Sequence, residues 1–151
     1  RHYKLDMKVT QLVNLVAEAA IGLVQLGKLD GHNLGRRMNA SVLTEGLEDV
    51  VDTPTEAPWA EHVYHQYTVR LADRDGLWDH LRHNDIGCGV YYPHPLSEVP
   101  ILEGRARVPE EPRMAKVLSD HVLSLPVHPG LSSQDVETVV MAVRGFLRGR
   151  S

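Results

Sequence analysis

Apolar positions recur along this chain with two periods, and the period changes where glycine, proline and aspartate punctuate it. In Asn14–Asp30, NLVAEAAIGLVQLGKLD, Leu15, Ala19, Leu23, Leu26 and Leu29 fall on one helical stripe, with Val16, Ala20 and Val24 beside it. Asn14 suits an N-cap, and Glu18 sits near the positive helix end. Gly22 and Gly27 each cost about 1 kcal/mol relative to alanine in a helix. Two of them in so apolar a segment point to close packing against another backbone or another chain. A second helix is expected from Asn33 to Gly46, carrying Arg36, Arg37, Met38, Val42 and Leu43, with Gly31 marking the bend. VDTPTEAPW (51–59), with Pro54 and Pro58, reads as a loop.

His62–Leu71, HVYHQYTVRL, switches to alternation. Val63, His65, Tyr67 and Val69 share one face, and the β-branched and aromatic content predicts a strand with His65 on the sheet's inner side. Asp73 or Asp75 caps a helix running to about His83, with Leu77, Trp78 and Leu81 on its apolar side. Ile86–Tyr92 is expected as a second strand, 97–112 as a long loop, Arg113–His121 as a helix and Val122–Leu125 as a third strand. After the turn PVHPGL, Ser132 and Asp135 form a capping-box start. Val136, Val139, Val140, Val143, Phe146 and Leu147 then make a core-facing stripe. The expected class is α+β: a small three-stranded sheet with helices packed on one face, preceded by a long helical arm.

Length and charge narrow the function classes. A chain of 151 residues fits one domain with an appended arm. A net charge of −4 gives no basic field for nucleic acid or an anionic membrane. Cys88 is the single cysteine, so no intramolecular disulfide can form, and a reducing cytoplasm is the expected compartment. Leu12–Leu26 is broken by Asn14, Glu18 and Gln25 and falls short of the ~20 apolar residues of a membrane span. The sequence opens on Arg1 rather than methionine, which raises the expectation of a longer parent polypeptide.

The candidate chemistry centres on IGCGVYYPHPL (86–96). Gly87 and Gly89 allow close backbone approach, and Tyr91 and Tyr92 offer flat apolar faces with polar tips that could stack on a sugar or base. The plainer alternative is that one tyrosine packs in the core and the other covers the strand end. His80 and His83 share a helical face, but a zinc site needs three or four ligands and spacing assigns no third, so no metal is expected. Cys88 reads as a small packed residue with no base placed to activate it. Ser119, Asp120 and His121 are adjacent and cannot converge on one another. Arg105 and Arg107 could meet a phosphate or simply be solvated.

Four stretches carry a resemblance. AAIGLVQLGKLD (19–30), HVYHQYTVR (62–70), IGCGVYYPHPL (86–96) and VLSLPVHPGLS (122–132) together resemble the carboxy-terminal domain of the DegT/DnrJ/StrS-type nucleotide-sugar aminotransferases, in order and at the expected intervals. The resemblance implies the small domain of an aspartate-aminotransferase fold over 14–151, after an atypical arm at 1–13. It also implies pyridoxal phosphate in the full-length family, a homodimer, and transfer of an amino group from glutamate to a nucleotide-linked keto-sugar. Where that family has Gly-Val-His-Tyr-Pro, this chain has Gly89-Val90-Tyr91-Tyr92-Pro93, and Ser97 stands where a later histidine is expected. Tyr91, Tyr92 and Pro93 are thereby implied as substrate-binding residues.

The same comparison withholds the reactive centre. Lys4, Lys8, Lys28 and Lys116 are the only lysines, and none lies in a Ser-His-Asn-Lys motif that would form the Schiff base. No catalytic residue and no cofactor ligand is therefore assigned, and the chain alone is expected neither to hold the cofactor nor to transaminate. A missing large domain or partner chain would carry the lysine. The family's Gly-Tyr-Asn-x-Arg-Met-Thr loop, aligned without gaps, falls with its Asn, Arg and Thr on Val9, Gln11 and Val13. A gapped alignment lays it over Tyr3–Met7 instead. Gln11 or Asp6 then replaces the arginine, and neither offers a phosphate a charge-assisted bond. The alternative reading is a non-catalytic dimerisation or sugar-nucleotide-binding module derived from that domain.

Overall fold

A capping box starts the helix around which the other elements pack. In the computed structural model, which describes residues 2–102, 104, 105, 107, 110 and 112–149 (side chains at 11 and from 13 onward), the Ser132 hydroxyl accepts the Asp135 amide at 3.2 Å. The Asp135 carboxylate accepts the Ser132 hydroxyl at 2.7 Å and the Ser132 amide at 2.8 Å in return, and these two bonds hold its carboxyl below the usual carboxylate range. The helix that follows, α5 (Ser133–Arg148), buries Val136, Val139 and Val143 as its spacing predicts.

Its partner is α2 (Leu29–Leu47), which buries Ala40, Leu43 and Leu47. The two helices come closest at Gly46, where an added Cβ would lie 2.7 and 2.9 Å from the Val140 methyls. One turn on, Arg144 donates to the Gly46 carbonyl at 2.7 Å and forks onto both Asp49 oxygens at 2.6 and 2.8 Å. That fork holds the Asp49 carboxyl low, and it ties the end of α2 to α5.

Between them, Asp73 caps α3 (Arg74–His83) by accepting the Gly76 amide at 3.0 Å. Arg74 is only 8 % exposed. Its guanidinium donates to the carbonyls of Ser119 at 3.1 Å and Val122 at 3.4 Å, fastening α3 to the junction of α4 (Arg113–His121) and β2 (Val122–Leu125). A buried charge is tolerable only when paired in this way.

The sheet is smaller than expected. β1 (Tyr67–Arg70) pairs antiparallel with β2, Tyr67 opposite Leu125 and Arg70 opposite Val122. Tyr67, Val69, Leu123 and Leu125 face the core, and the Thr68 and Ser124 hydroxyls meet at 2.8 Å. The predicted third strand, Ile86–Tyr92, is not one. It touches the sheet at the single bridge Gly89–Ser124, with both backbone bonds made at 3.0 and 2.8 Å. Two residues later the Tyr91 ring folds back over Gly89, so the side chains cannot alternate as a strand requires.

The first predicted strand also shortens, losing His62–Gln66. Tyr64 sits at φ 46°, in the left-handed region, and its amide bonds the His62 ring at 3.0 Å. His65 consequently lies exposed rather than on the inner face of the sheet.

The amino-terminal helix α1 runs from His2 to Leu26, so Asn14 lies inside it and is not an N-cap. Of the expected 1–13 arm, residues 2–13 form the first half of that helix, and Arg1 lies outside the described residues. The bend before α2 falls at Gly27-Lys28, and Gly31 lies within α2. Nothing in the described chain covers α1: Val13, Leu15, Val16, Ile21, Leu23, Val24 and Leu26 are 58–72 % exposed. A Cβ at Gly22 would meet nothing within 4 Å, and one at Gly27 would meet only carbonyls of its own helix. The close packing those glycines suggest has no counterpart among the described residues. Among the described residues, no helix is long and apolar enough to cross a membrane.

The α2–α5 contact yields a test by thermal or denaturant unfolding. Alanine at Gly46 gains about 1 kcal/mol of helix propensity, yet the stiff Val140 methyls stand in its way, an overpacking cost of about 1–3 kcal/mol. Gly46→Ala should therefore lower stability. In a Val140→Ala background the same change should raise it, and Gly145→Ala, which meets open space, should stabilise on its own.

Candidate functional site

The Gly89–Ser124 bridge positions a cleft of about 540 Å³ beside the sheet. Gly87, Cys88 and Gly89 form part of its lining, Tyr91 and His65 flank it, and Ser124–His128 continue it beyond β2. Arg36 enters from α2. Two contacts fasten the turn after β2 to that helix. Asn39 donates its side-chain amide to the His128 carbonyl at 3.0 Å, and a Cβ at Gly35 would sit 3.0 Å from the Pro129 side chain. The cleft is thus assembled from four separate stretches of sequence.

Of the three predicted substrate-binding residues, the structure brings one to this cleft. Tyr91 is 50 % exposed, with its ring laid against Gly89, where any added Cβ would fall 2.7 Å from ring atoms. Tyr92 stands edge-on to it, ring centroids 6.0 Å apart, and is 75 % exposed outside the lining. Pro93 and Ser97 are exposed and also outside it. Arg105 and Arg107 do not line it either.

The other candidates resolve into structural roles. Burial pushes the Cys88 thiol up, with Arg82 pulling weakly the other way, so little nucleophilic thiolate forms. His80 lies against the Phe146 ring at 5.5 Å, while His83 bonds the Asp79 carbonyl within its own helix. Ser119 donates to the Lys116 carbonyl, and His121 pairs with that of Val117, so no relay forms between them. Among the described residues, no group of three or more histidine, cysteine, aspartate or glutamate side chains could hold a metal.

Arg36 and His128 escaped sequence reasoning as cleft residues. Adjacent positions on a helix point about 100° apart, and here the two arginines part company. Arg37 is consumed by Glu56 at 3.0 Å, the His62 carbonyl at 2.7 Å and Glu61 at 3.8 Å. The His62 amide and Arg37 together hold the Glu56 carboxyl low. Arg36 bonds the Asn33 side chain at 3.3 Å and, among the described residues, pairs with no carboxylate. The doublet Arg36-Arg37 was the available signal. Which arginine is free depends on a loop about twenty residues away.

The two described lysines, Lys28 and Lys116, do not suit pyridoxal phosphate. A Schiff-base lysine needs a neutral amine, whereas Lys116 is held charged by Glu98 at 3.0 Å, with Asp120 at 3.6 Å, and its pKa is raised accordingly. Neither Lys116 nor Lys28 lines the cleft. The side chains of Lys4 and Lys8, like those of Asp6 and Val9, lie outside the described set.

Residues 10–144 match the DegT/DnrJ/EryC1/StrS aminotransferase family. The chain is 36 % identical over 139 residues to a "Pleiotropic regulatory protein" of Geobacillus stearothermophilus, covering 87 % of this chain and 36 % of that one. It is 33 % identical over 129 residues to the dTDP-3-amino-3,4,6-trideoxy-alpha-D-glucose transaminase of Streptomyces venezuelae, covering 84 % and 34 %. The fold superposes on the crystal structure of S. venezuelae DesV in complex with a ketimine intermediate with a TM-score of 0.80, at 32 % identity, over 85 % of this chain and 35 % of that one. The chain spans about a third of the length of the curated relatives it matches.

The Gly89–Tyr91 contact can be checked by NMR. Gly89→Ala should displace the Tyr91 ring and shift its resonances and those of Gly87. Gly87→Ala, where a Cβ meets nothing within 4 Å, should leave the Tyr91 ring where it is.

Proposed function

The chain belongs to the DegT/DnrJ/EryC1/StrS aminotransferase family, and we propose that it is the small domain of a pyridoxal-phosphate enzyme that aminates nucleotide-linked keto-sugars. The observation that carries this reading is the cleft wall built by Tyr91 over Gly89, within a fold that superposes on that of DesV. When bound, the cofactor supplies the electron sink for moving an amino group. This chain's residues do other work. Tyr91 presents an aromatic face to the sugar or base, and Gly89 lets the backbone come close beneath it. The Ser124 bridge holds both in register.

Tyr92 and Pro93 join that wall only where another part of the enzyme closes over them, since they are exposed outside the cleft. The uncovered apolar length of α1 supports the same picture. The remaining two thirds of the enzyme, and a second subunit of a homodimer, would bury it and supply the lysine. The rival, a non-catalytic module, draws on the unsuitability of Lys28 and Lys116.

Two outcomes separate the readings. The 151-residue chain, incubated with pyridoxal phosphate and borohydride, should acquire no stoichiometric lysine adduct, and turnover of glutamate and a dTDP-keto-sugar by the chain alone would refute the domain assignment. Combined with the polypeptide that carries the Schiff-base lysine, it should support transamination. Tyr91→Ala in that assembly should then raise KM for the keto-sugar by about tenfold, the loss of one stacking contact, with kcat changed less. A module would show no turnover in either form.

A further inference from the structure

The cleft beside Tyr91 carries an uneven charge pattern. Arg36, His65 and His128 line it together with the Tyr91 phenol and the Gln66 amide, and among the described residues no aspartate or glutamate does. In a chain whose net charge is −4, with 20 acidic residues against 16 lysines and arginines, a cleft of about 540 Å³ without a carboxylate stands apart. Asp135, which interacts with His128, lines the neighbouring depression together with Asp85 and is not part of the Tyr91 cleft's lining.

The two adjacent arginines sharpen the point. Arg37 is satisfied three times over by Glu56, Glu61 and the His62 carbonyl, the pattern of a structural cation. Arg36, half-buried one position earlier, meets only the neutral Asn33 amide oxygen at 3.3 Å. A guanidinium has five donors in a planar fork suited to phosphate or carboxylate. Most of those on Arg36 are uncommitted in the described structure. The site is also held in place before any ligand arrives, because the Asn39–His128 bond and the Gly35–Pro129 contact lock the His128 turn to the helical turn bearing Arg36. Gly87 adds backbone with no side chain in the way.

We propose that the Arg36–His128 corner of this cleft is an anion site that takes the diphosphate of a nucleotide-linked substrate, while Tyr91 meets its ring. The assignment rests on the reading of Tyr91 as substrate wall. A diphosphate is favoured over a single carboxylate because the donors are spread around the cleft, more than one carboxylate would use, and apolar Leu125 and Val127 beside them suit a larger ligand. Arg36 thereby becomes a binding residue that a Schiff-base lysine elsewhere would depend on for substrate placement.

The test uses the 15N-labelled 151-residue chain, its spectrum first showing a folded protein, titrated separately with dTDP, inorganic pyrophosphate, thymidine and glutamate at millimolar concentration. Both diphosphates should shift the Arg36, Gly87 and His128 signals saturably, and added salt should weaken them. Arg36→Gln should weaken binding by about tenfold or more, as the loss of a charge-assisted bond predicts, and Arg36→Lys should restore part of it. Arg70→Gln, on β1 and paired with Asp52, should change nothing. If dTDP and thymidine shift Tyr91 equally and Arg36→Gln binds dTDP as well as the parent, the anion assignment falls and the wall reading stands. Pyrophosphate moving Arg36 and His128 while no nucleotide moves Tyr91 supports the anion site and overturns the wall. Glutamate in place of the diphosphates, or no shift with any ligand, overturns the proposal.

Discussion

Two backbone hydrogen bonds between Gly89 and Ser124 decide what this molecule can present to a ligand. Ser124 is buried in β2, anchored through its hydroxyl to Thr68 on β1, so it is a rigid point of the sheet. The segment 86–92 is docked to that point and nowhere else along the sheet edge. Because the attachment is a single bridge rather than a ladder, the chain is free to turn immediately afterwards. It turns Tyr91 back onto Gly89 and leaves Tyr92 and Pro93 pointing away. A full third strand would have fixed alternate side chains to opposite faces and removed the cleft.

Everything else serves to keep that sheet edge still. α5 and α2 interlock at Gly46 and Val140 and are bolted by the Arg144–Asp49 fork; α3 is tied across by the buried Arg74. These connections bring α2, and with it Arg36, to the cleft from residues ninety positions away from the turn they meet. The electrostatic arrangement follows from packing: the loop carrying Glu56 reaches Arg37 and not Arg36. A one-residue difference in position on the helix separates a cation that staples the fold from one that remains available.

The sequence made local structure legible where a side chain both chooses and closes an element. The Ser132–Asp135 box, the Asp73 cap and the valine stripe of α5 were readable because their partners lie within a few residues. Strand content was overestimated because alternation in HVYHQYTVRL describes side-chain chemistry, while Glu56, six residues upstream, and Arg37, 25 residues away, seize the backbone around His62 and bend Tyr64 out of line. The same limit applied to the site. Tyr91 was visible through its neighbouring glycines; Arg36 and His128 were not, since their meeting depends on Asn39 reaching a carbonyl 89 residues on. Asn14 misled for a related reason, as a polar residue inside an apolar helix looks like a cap when the preceding turn is not recognised as helical.

From Val13 to Leu26, α1 offers no shaded side to the described chain. Its leucines and valines contribute nothing to holding the sheet or the α2–α5 pair together, so their chemistry is addressed outward. Substituting polar residues along that helix would leave the rest of the fold intact and alter only what the helix can be buried against. The free polypeptide thus carries an adhesive rod beside a well-packed body.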